Sequence, residues 1–266
     1  MPVFEQSTDL ITEDQEHHTE IRFDSSQMVL RLESHRSTFL NPHNENANMT
    51  TRSLLKISEV GSSPIVATFY ENLFEQEFIC ECHRDELKYL LGLKNGFYAF
   101  ESSLHVFPLV ADNWFNHQDL HHWNLPELWK RAYADTLDRM YAFAEDVFGY
   151  QFCSLDQRVV RFDPETGETE DFCSSIDEWA EAILKDYNVQ LGYPVAHAWQ
   201  TKNGPLKKGN RLVPIYPLIS KQGSYDIGNF YEVDALKGML SRADFARQIK
   251  NIRDGERVKI TPININ

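Results

Sequence analysis

Residues 143–187 read FAEDVFGYQFCSLDQRVVRFDPETGETEDFCSSIDEWAEAILKDY, and the spacing of apolar residues in this segment decides the fold. Its first two thirds carry short apolar runs that are separated by turn-forming residues at 146–149, 154–157 and 163–167. In the last of these turns, Pro164 presets φ and Gly167 tolerates a positive φ. The pattern therefore predicts a short antiparallel meander of β-strands.

After the third turn, the apolar period changes from that of a strand to that of a helix. One helical face collects Ile176, Trp179, Ala180, Ile183, Leu184 and Tyr187. Ser175 and Glu178 have the spacing of a capping box, which places the start of this helix. We therefore predict a capped helix that packs on the meander, with Trp179 buried against Phe152 or Phe162.

These residues carry a resemblance to a known family. FAEDVFGYQFCSLD, VVRFDPETGE and the acidic helix SIDEWAEAIL, in this order, resemble the SUKH superfamily, which includes Smi/Knr-type fungal regulators and many bacterial immunity proteins. The upstream LKYLLGLKNGFYAFESSLHVFPL is similar to that family's helix, Asn-Gly turn and first strand. The resemblance covers roughly residues 77–191. It implies binding to a partner protein and transfers no catalytic residue.

The whole chain of 266 residues is long enough for one domain with a substantial core. We expect a single α+β domain over residues 49–266, with an antiparallel-rich β-sheet packed by helices in a SUKH-like arrangement and a C-terminal extension. Residues 1–48 contain nine acidic and three basic side chains and few apolar ones. Because little apolar burial offsets the cost of ordering this stretch, we expect a mobile or loosely attached acidic tail.

Further elements follow from apolar spacing on either side of the meander. Upstream, the pattern predicts a helix over 65–74 and a second over 86–93, for which Gly96 is a candidate C-terminal glycine. Downstream it predicts a helix at 195–200, a strand at 229–233, a helix at 241–252 and a last strand at 257–260.

Overall charge and composition narrow the function. The formal net charge is −14, which argues against nonspecific binding to nucleic acid or to an anionic membrane. It favours a cationic partner or simple solubility. No apolar run approaches the ~20 residues needed to cross a bilayer, and the N-terminus lacks the pattern of a signal peptide. We therefore expect a cytoplasmic protein whose four cysteines are reduced.

Acidic side chains are concentrated in the turn, strand and helix that end the organising segment. Within residues 163–186, nine acidic side chains are opposed only by Lys185. One interpretation is a solvated face, and the other is a docking surface for a basic protein, which would speed encounter and set specificity. The candidate contact residues are Asp163, Glu165, Glu168, Glu170, Asp171, Asp177 and Glu178.

Metal binding and catalysis have weaker support. If the segment NHQDLHHW is helical, His117 and His121 share a face at the spacing of zinc-binding helices, but it contains no H-E-x-x-H motif. Cys80 and Cys82 form a C-x-C pair without the second pair typical of structural zinc sites. Signatures of a nucleophile elbow, a P-loop or a dinucleotide fold are missing from the sequence. We therefore expect no catalytic residue, metal or cofactor.

Taken together, the residues and the resemblance predict a non-enzymatic protein-binding protein. The function that the resemblance implies is that of a bacterial immunity protein that binds and neutralises a cognate toxin. A regulatory interaction module of the same fold remains an alternative, and so does a metal-dependent hydrolase.

Overall fold

A computed structural model describes residues 19–22, 51–77, 83–110, 117–133, 135–250 and 257–260. The strands are β1 (Thr19–Arg22), β2 (Phe97–Ala99), β3 (Leu104–Val106), β4 (Tyr141–Asp146), β5 (Gln151–Leu155), β6 (Arg158–Phe162), β7 (Thr169–Cys173), β8 (Asn210–Pro214), β9 (Phe230–Asp234) and β10 (Arg257–Ile260). The α-helices are α1 (Arg52–Val60), α2 (Glu71–Glu77), α3 (Arg84–Leu93), α4 (Leu120–Trp123), α5 (Arg131–Tyr133), α6 (Ile176–Lys185), α7 (Tyr187–Gln190), α8 (Tyr193–Asn203) and α9 (Ala235–Ile249). A π-helical turn spans Pro126–Lys130, and 3₁₀ turns span Asp135–Arg139 and Ile227–Asn229.

The centre of the fold is a six-stranded sheet in which β2 to β7 follow one another in chain order, each antiparallel to the next. The predicted meander is thus confirmed as β4 to β7, with β2 and β3 added on one side. At the β4–β5 turn, Asp146 Oδ1 accepts hydrogen bonds from the backbone of Phe148 and Tyr150. Gly149 adopts φ +79 there, the left-handed conformation that favours glycine.

Helix α6 covers one face of the sheet. Ser175 caps it as predicted, because its side chain accepts from the backbone N–H of Glu178. Trp179 is fully buried, and its ring lies 5.1 Å from that of Phe143 and 5.7 Å from that of Phe152. The predicted contact with Phe152 is confirmed. Phe162 does not share this contact, because its side chain points into the opposite layer.

The opposite face packs against α4, the following π-helical turn, α5 and α9. Phe162 there contacts Trp129 and Tyr133, at ring distances of 5.5 and 4.9 Å. The Tyr133 hydroxyl donates to the carbonyl of Met239 in α9. The sheet is therefore enclosed between two helical layers. The chain is a single α+β domain with an antiparallel sheet, as the sequence predicts.

The C-terminal region adds a two-stranded sheet of β8 and β9 and a second, smaller core. That core joins Phe148 of the β4–β5 turn to Trp199 of α8 and Leu212 of β8. The backbone N–H of Leu212 also donates to the carbonyl of Val147 at 2.8 Å. The helix predicted at 195–200 is longer, at Tyr193–Asn203, and the one predicted at 241–252 begins earlier and spans Ala235–Ile249.

Upstream of the sheet, one predicted helix is wrong. Residues 65–70 are not helical, because the backbone N–H groups of Ile65 and Val66 donate to the carbonyls of Gly96 and Asn95 instead. The helix begins only at Glu71. Gly96 does not cap α3 either, since the C-cap is Lys94, and Gly96 instead lies in the turn that Asn95 builds. A Cβ at Gly96 would lie within 2.6 Å of Pro108.

Most of the predicted acidic tail, including Met28–Leu32, lies outside the described residues, as do Cys80 and Cys82. The described part, Thr19–Arg22, forms β1 and pairs antiparallel with β10. The strand predicted at 257–260 is thereby confirmed. Among the described residues, no helix is both long and apolar enough to cross a bilayer.

Candidate functional site

The β6–β7 turn places two of the predicted contact residues in structural roles. Asp163 Oδ1 accepts from the backbone N–H of Glu165 at 2.7 Å, which closes the turn. Glu165 is only 2% exposed, and its carboxylate accepts from the backbone N–H groups of Leu218 and Ile219 at 3.1 and 3.3 Å. The prediction of an exposed Glu165 is therefore wrong. Its side chain folds inward because the 217–220 turn offers it two donors.

Two acids of strand β7 face arginines of the neighbouring strand. Glu170 lies 2.9 Å from the buried guanidinium of Arg161, and Asp171 lies 3.8 Å from Arg158. The strand register accounts for both pairs. Glu170 stands directly opposite Arg161, and Asp171 stands opposite Val160, two residues from Arg158 on the same strand. Within residues 163–186 only Lys185 opposes the acids, but Arg158 and Arg161 lie just before this segment and offset two of them. The net negative charge of this surface is therefore smaller than the segment alone predicts.

The two acids at the start of α6 act as caps. Asp177 Oδ1 accepts from the backbone N–H groups of Ser53 and Leu54, at 3.0 and 3.1 Å, and so caps α1. Glu178 accepts from the backbone and the hydroxyl of Ser174, rather than from Ser175 as a strict capping box requires. A carboxylate at a helix N-terminus is stabilised by the unpaired N–H groups and the helix dipole. Asp177 is partly buried in this role, whereas Glu178 stays exposed.

Four carboxylates remain exposed on consecutive elements, and we refer to them together as the acidic edge: Glu168, Asp171, Glu178 and Glu181. The acidic edge follows the β6–β7 turn, β7 and α6, and β7 is a terminal strand of the six-stranded sheet. The side chains of Glu168 and Glu181 have no ion-pair partner among the residues that the structure describes. These two carboxylates are therefore the ones most available to a partner.

A second polar cluster lies beneath the surface, where the C-terminal region meets the sheet. Glu145 of β4 is paired with Arg211 of β8 at 2.8 Å and with His105 Nδ1 at 3.1 Å. Gln151 donates to the other carboxylate oxygen at 3.1 Å. The Tyr98 ring stacks on His105 at 4.3 Å. This cluster was not predictable from sequence spacing, because its members come from separate strands and form no motif.

Burial controls the ionisation of this cluster. Burial lowers the pKa of His105 to about 4, and its hydrogen bond to Glu145 opposes that shift. Burial alone would raise the pKa of Glu145, but Arg211 and the hydrogen bond from His105 lower it below its usual value. His105, Glu145 and Arg211 are each completely buried, so no substrate reaches them in this conformation. The buried ion pair between Arg211 and Glu145 therefore holds β8 next to β4.

His117 and His121 do not share a helix, contrary to the arrangement that a zinc-binding helix requires. Helix α4 begins at Leu120, and His117 precedes it with φ +64. Asp119 is occupied as the helix cap, since it accepts from the backbone of His121 and His122 and lies 2.8 Å from His122 Nδ1. Within the described ranges, no group of three or more His, Cys, Asp or Glu side chains has an arrangement that could hold a metal.

Comparison with known proteins adds little. No family model matches the chain, and no curated protein matches it. Among solved structures, the fold is similar to Atu4351 from Agrobacterium tumefaciens, with a TM-score of 0.47 and 12% sequence identity. That alignment covers 79% of this chain and 97% of the other.

Proposed function

We propose that this chain is a non-enzymatic, cytoplasmic protein-binding protein, and that it acts as a bacterial immunity protein which binds and neutralises a cognate toxin. The toxin would present a basic surface to the acidic edge. The observation that carries this proposal is the exposure of Glu168, Asp171, Glu178 and Glu181 on consecutive elements at one end of the sheet.

Electrostatics supports the choice of a basic protein as partner. Exposed carboxylates steer a cationic surface during diffusional encounter, and the net charge of −14 adds a long-range attraction. The same charge repels nucleic acid and anionic membranes. The resemblance of residues 77–191 to the SUKH superfamily supports the same class of function, because most members of that family are thought to bind partner proteins.

Two further features support this proposal: one favours binding over catalysis, and the other is compatible with a cytoplasmic location. The polar cluster around His105 and Glu145, in which burial lowers the pKa of His105, is closed to solvent and holds the fold together. Cys153 and Cys173 are free and buried, and burial raises the pKa of both thiols, which makes them unreactive. Free buried thiols are compatible with a reducing compartment.

The test is co-expression with the protein encoded by the gene next to this one in its genome. We expect that neighbour to be toxic alone, to be tolerated when this chain is present, and to co-purify with it. The interface variant replaces both Glu168 and Glu181 by Lys, since both side chains are exposed and unpaired within the described structure. The control variant replaces Glu127 and Asp226 by Lys, because both are exposed and outside the acidic edge.

The two variants have the same net charge, so they separate local docking from general repulsion. Loss of protection with the interface variant alone supports the proposal, provided that circular dichroism shows both proteins folded. A neighbouring protein that is harmless and still co-purifies would favour a regulatory interaction module instead. A toxin that neither binds nor is neutralised would refute the immunity function.

A further inference from the structure

A groove of about 400 Å³ opens on the surface beside α3. Its lining includes Phe69 and, from α3, Tyr89, Gly92 and Leu93. Tyr89 and Leu93 are each 38% exposed, so this part of the lining is accessible to solvent. The groove therefore presents aromatic and aliphatic surface that the described part of the fold leaves open.

Charges on the rim favour a cation as the occupant. Asp85 lies one helical turn before Tyr89, so both side chains project from the same face of α3. Asp85 is exposed and has no partner within the described ranges. Among the described residues that line the groove, the one cation is Lys88, whose charge is paired with Glu71 at 2.6 Å. A free carboxylate beside an accessible aromatic ring is the environment that attracts an ammonium or guanidinium group.

Gly92 is a second and independent feature of this groove. It is the penultimate residue of α3. The fold does not demand this glycine, because a Cβ there would meet only Phe69, at 4.0 Å. Its φ is not in the left-handed region. The missing methyl group leaves open the space in front of Phe69.

The helix that lines the groove also contacts the helix that carries part of the acidic edge. Glu86, beside Asp85 in the first turn of α3, accepts from the backbone N–H of Ile176 at 2.7 Å, so the first turns of α3 and α6 are in contact. His83 reaches the same junction, with Nε2 3.1 Å from the carbonyl of Ser174. The N-terminal turn of α3, which includes Asp85 of the groove, therefore adjoins the N-terminal turn of α6, which includes Glu178 of the acidic edge.

We propose that this groove receives an arginine or lysine side chain of the partner, with its alkyl stem along Phe69 and Tyr89 and its charge at Asp85. The assignment rests on the proposed function in one respect, namely that the partner is basic. It adds an anchoring contact to a surface that otherwise works through charge alone, and buried arginines in pockets are frequent hot spots of protein interfaces.

The probe is N-acetyl-arginine amide, titrated into the ¹⁵N-labelled full chain and followed by amide chemical shifts. Its neutral isostere, N-acetyl-citrulline amide, is the matched ligand control. We expect saturable shifts confined to residues 69–71 and 85–93, with a Kd on the order of 1 mM for a ligand of this size. The citrulline compound should bind at least about threefold more weakly, because only the charge differs.

Three variants complete the test. Gly92→Ala should weaken binding about threefold or more while the Tm stays equal or rises, since alanine favours the helix and fills the groove. Asp85→Asn should reduce the preference for arginine over citrulline. Asp226→Asn, on a distant exposed loop, should change neither. Equal chemical shift changes with both compounds, or a Kd that is unchanged in Gly92→Ala, would overturn the groove assignment.

Failure of the groove and failure of the proposed function give different results. If the groove assignment alone is wrong, the arginine compound does not bind selectively but the neighbouring toxin still binds the wild-type chain. If the proposed function alone is wrong, the arginine compound binds as described and the toxin does not bind.

Discussion

The guanidinium of Arg211 lies 2.8 Å from the carboxylate of Glu145, and both side chains are buried. The two residues belong to β8 and β4, which are separated by more than sixty positions in the chain. Their contact is a close ion pair rather than a well-aligned hydrogen bond, and Arg211 Nε has no partner in the described structure. This pair fixes how the C-terminal region docks on the sheet.

Removal of one partner of this pair should be costly. Arg211→Met leaves Glu145 buried without a counter-charge, and we expect a loss of about 3–5 kcal/mol in the free energy of unfolding. Arg211→Met combined with Glu145→Leu should recover at least about 2 kcal/mol of that loss, because no isolated charge remains. Urea denaturation of the wild type, both single variants and the double variant measures this coupling. Additive losses would show that the two side chains act independently.

Acid should weaken the fold through His105. Its pKa is lowered to about 4 by burial, whereas the unfolded chain has the ordinary value of about 6.5. Between these two values the unfolded chain binds a proton that the folded chain does not, so stability falls as pH falls from 6.5 towards 4. The loss accumulated between pH 7 and a pH below 4 is on the order of 3 kcal/mol, since each pKa unit between the two states corresponds to about 1.4 kcal/mol.

The measurement is the free energy of unfolding of the wild type minus that of His105→Gln across this pH range. The difference isolates His105 because the other titrating groups are common to both proteins. We expect the advantage of the wild type to shrink steadily below pH 6.5. A difference independent of pH would mean that His105 is not held neutral in the folded chain.

The burial of Glu165 can be tested by mutation. Glu165→Lys should destabilise the protein by more than about 3 kcal/mol, since it buries a cation against two backbone donors that lose their acceptor. Glu168→Lys, three residues away and exposed, should change stability by no more than about 0.5 kcal/mol. Thermal unfolding of the two variants gives the answer. Equal stability would indicate that Glu165 is exposed after all.

The local elements of the organising segment were predictable because their signals are local. Turn residues such as Gly149 and Gly167 and the Ser175 cap act within a few positions, and apolar period 2 or 3.6 reports which face is buried. The inward turn of Glu165 was not predictable, because its donors at Leu218 and Ile219 come from a distant turn. The non-helical course of residues 65–70 has the same cause, since the competing acceptors lie at Asn95 and Gly96.

Trp179 tests the packing of α6 on the sheet. Trp179→Ala should cost about 3–5 kcal/mol, the usual loss for a large aromatic side chain in a core. Trp179→Phe should cost less than half of that, because it keeps an aromatic contact with Phe143 and Phe152. It also removes a buried indole N–H that has no hydrogen-bond partner within the described residues. Chemical denaturation compares the two variants. A loss below about 1 kcal/mol for the alanine variant would be incompatible with the packing described above.

The most direct measurement of the central claim is the association rate of the purified neighbouring toxin at low and high ionic strength. For the wild type, association should slow as salt rises, because screening weakens attraction to the acidic edge. Glu168→Lys with Glu181→Lys should reduce the association rate about tenfold at low salt, and Glu127→Lys with Asp226→Lys by clearly less. An association rate that does not change with ionic strength, or an equal reduction of the rate in both double variants, would contradict docking at the acidic edge.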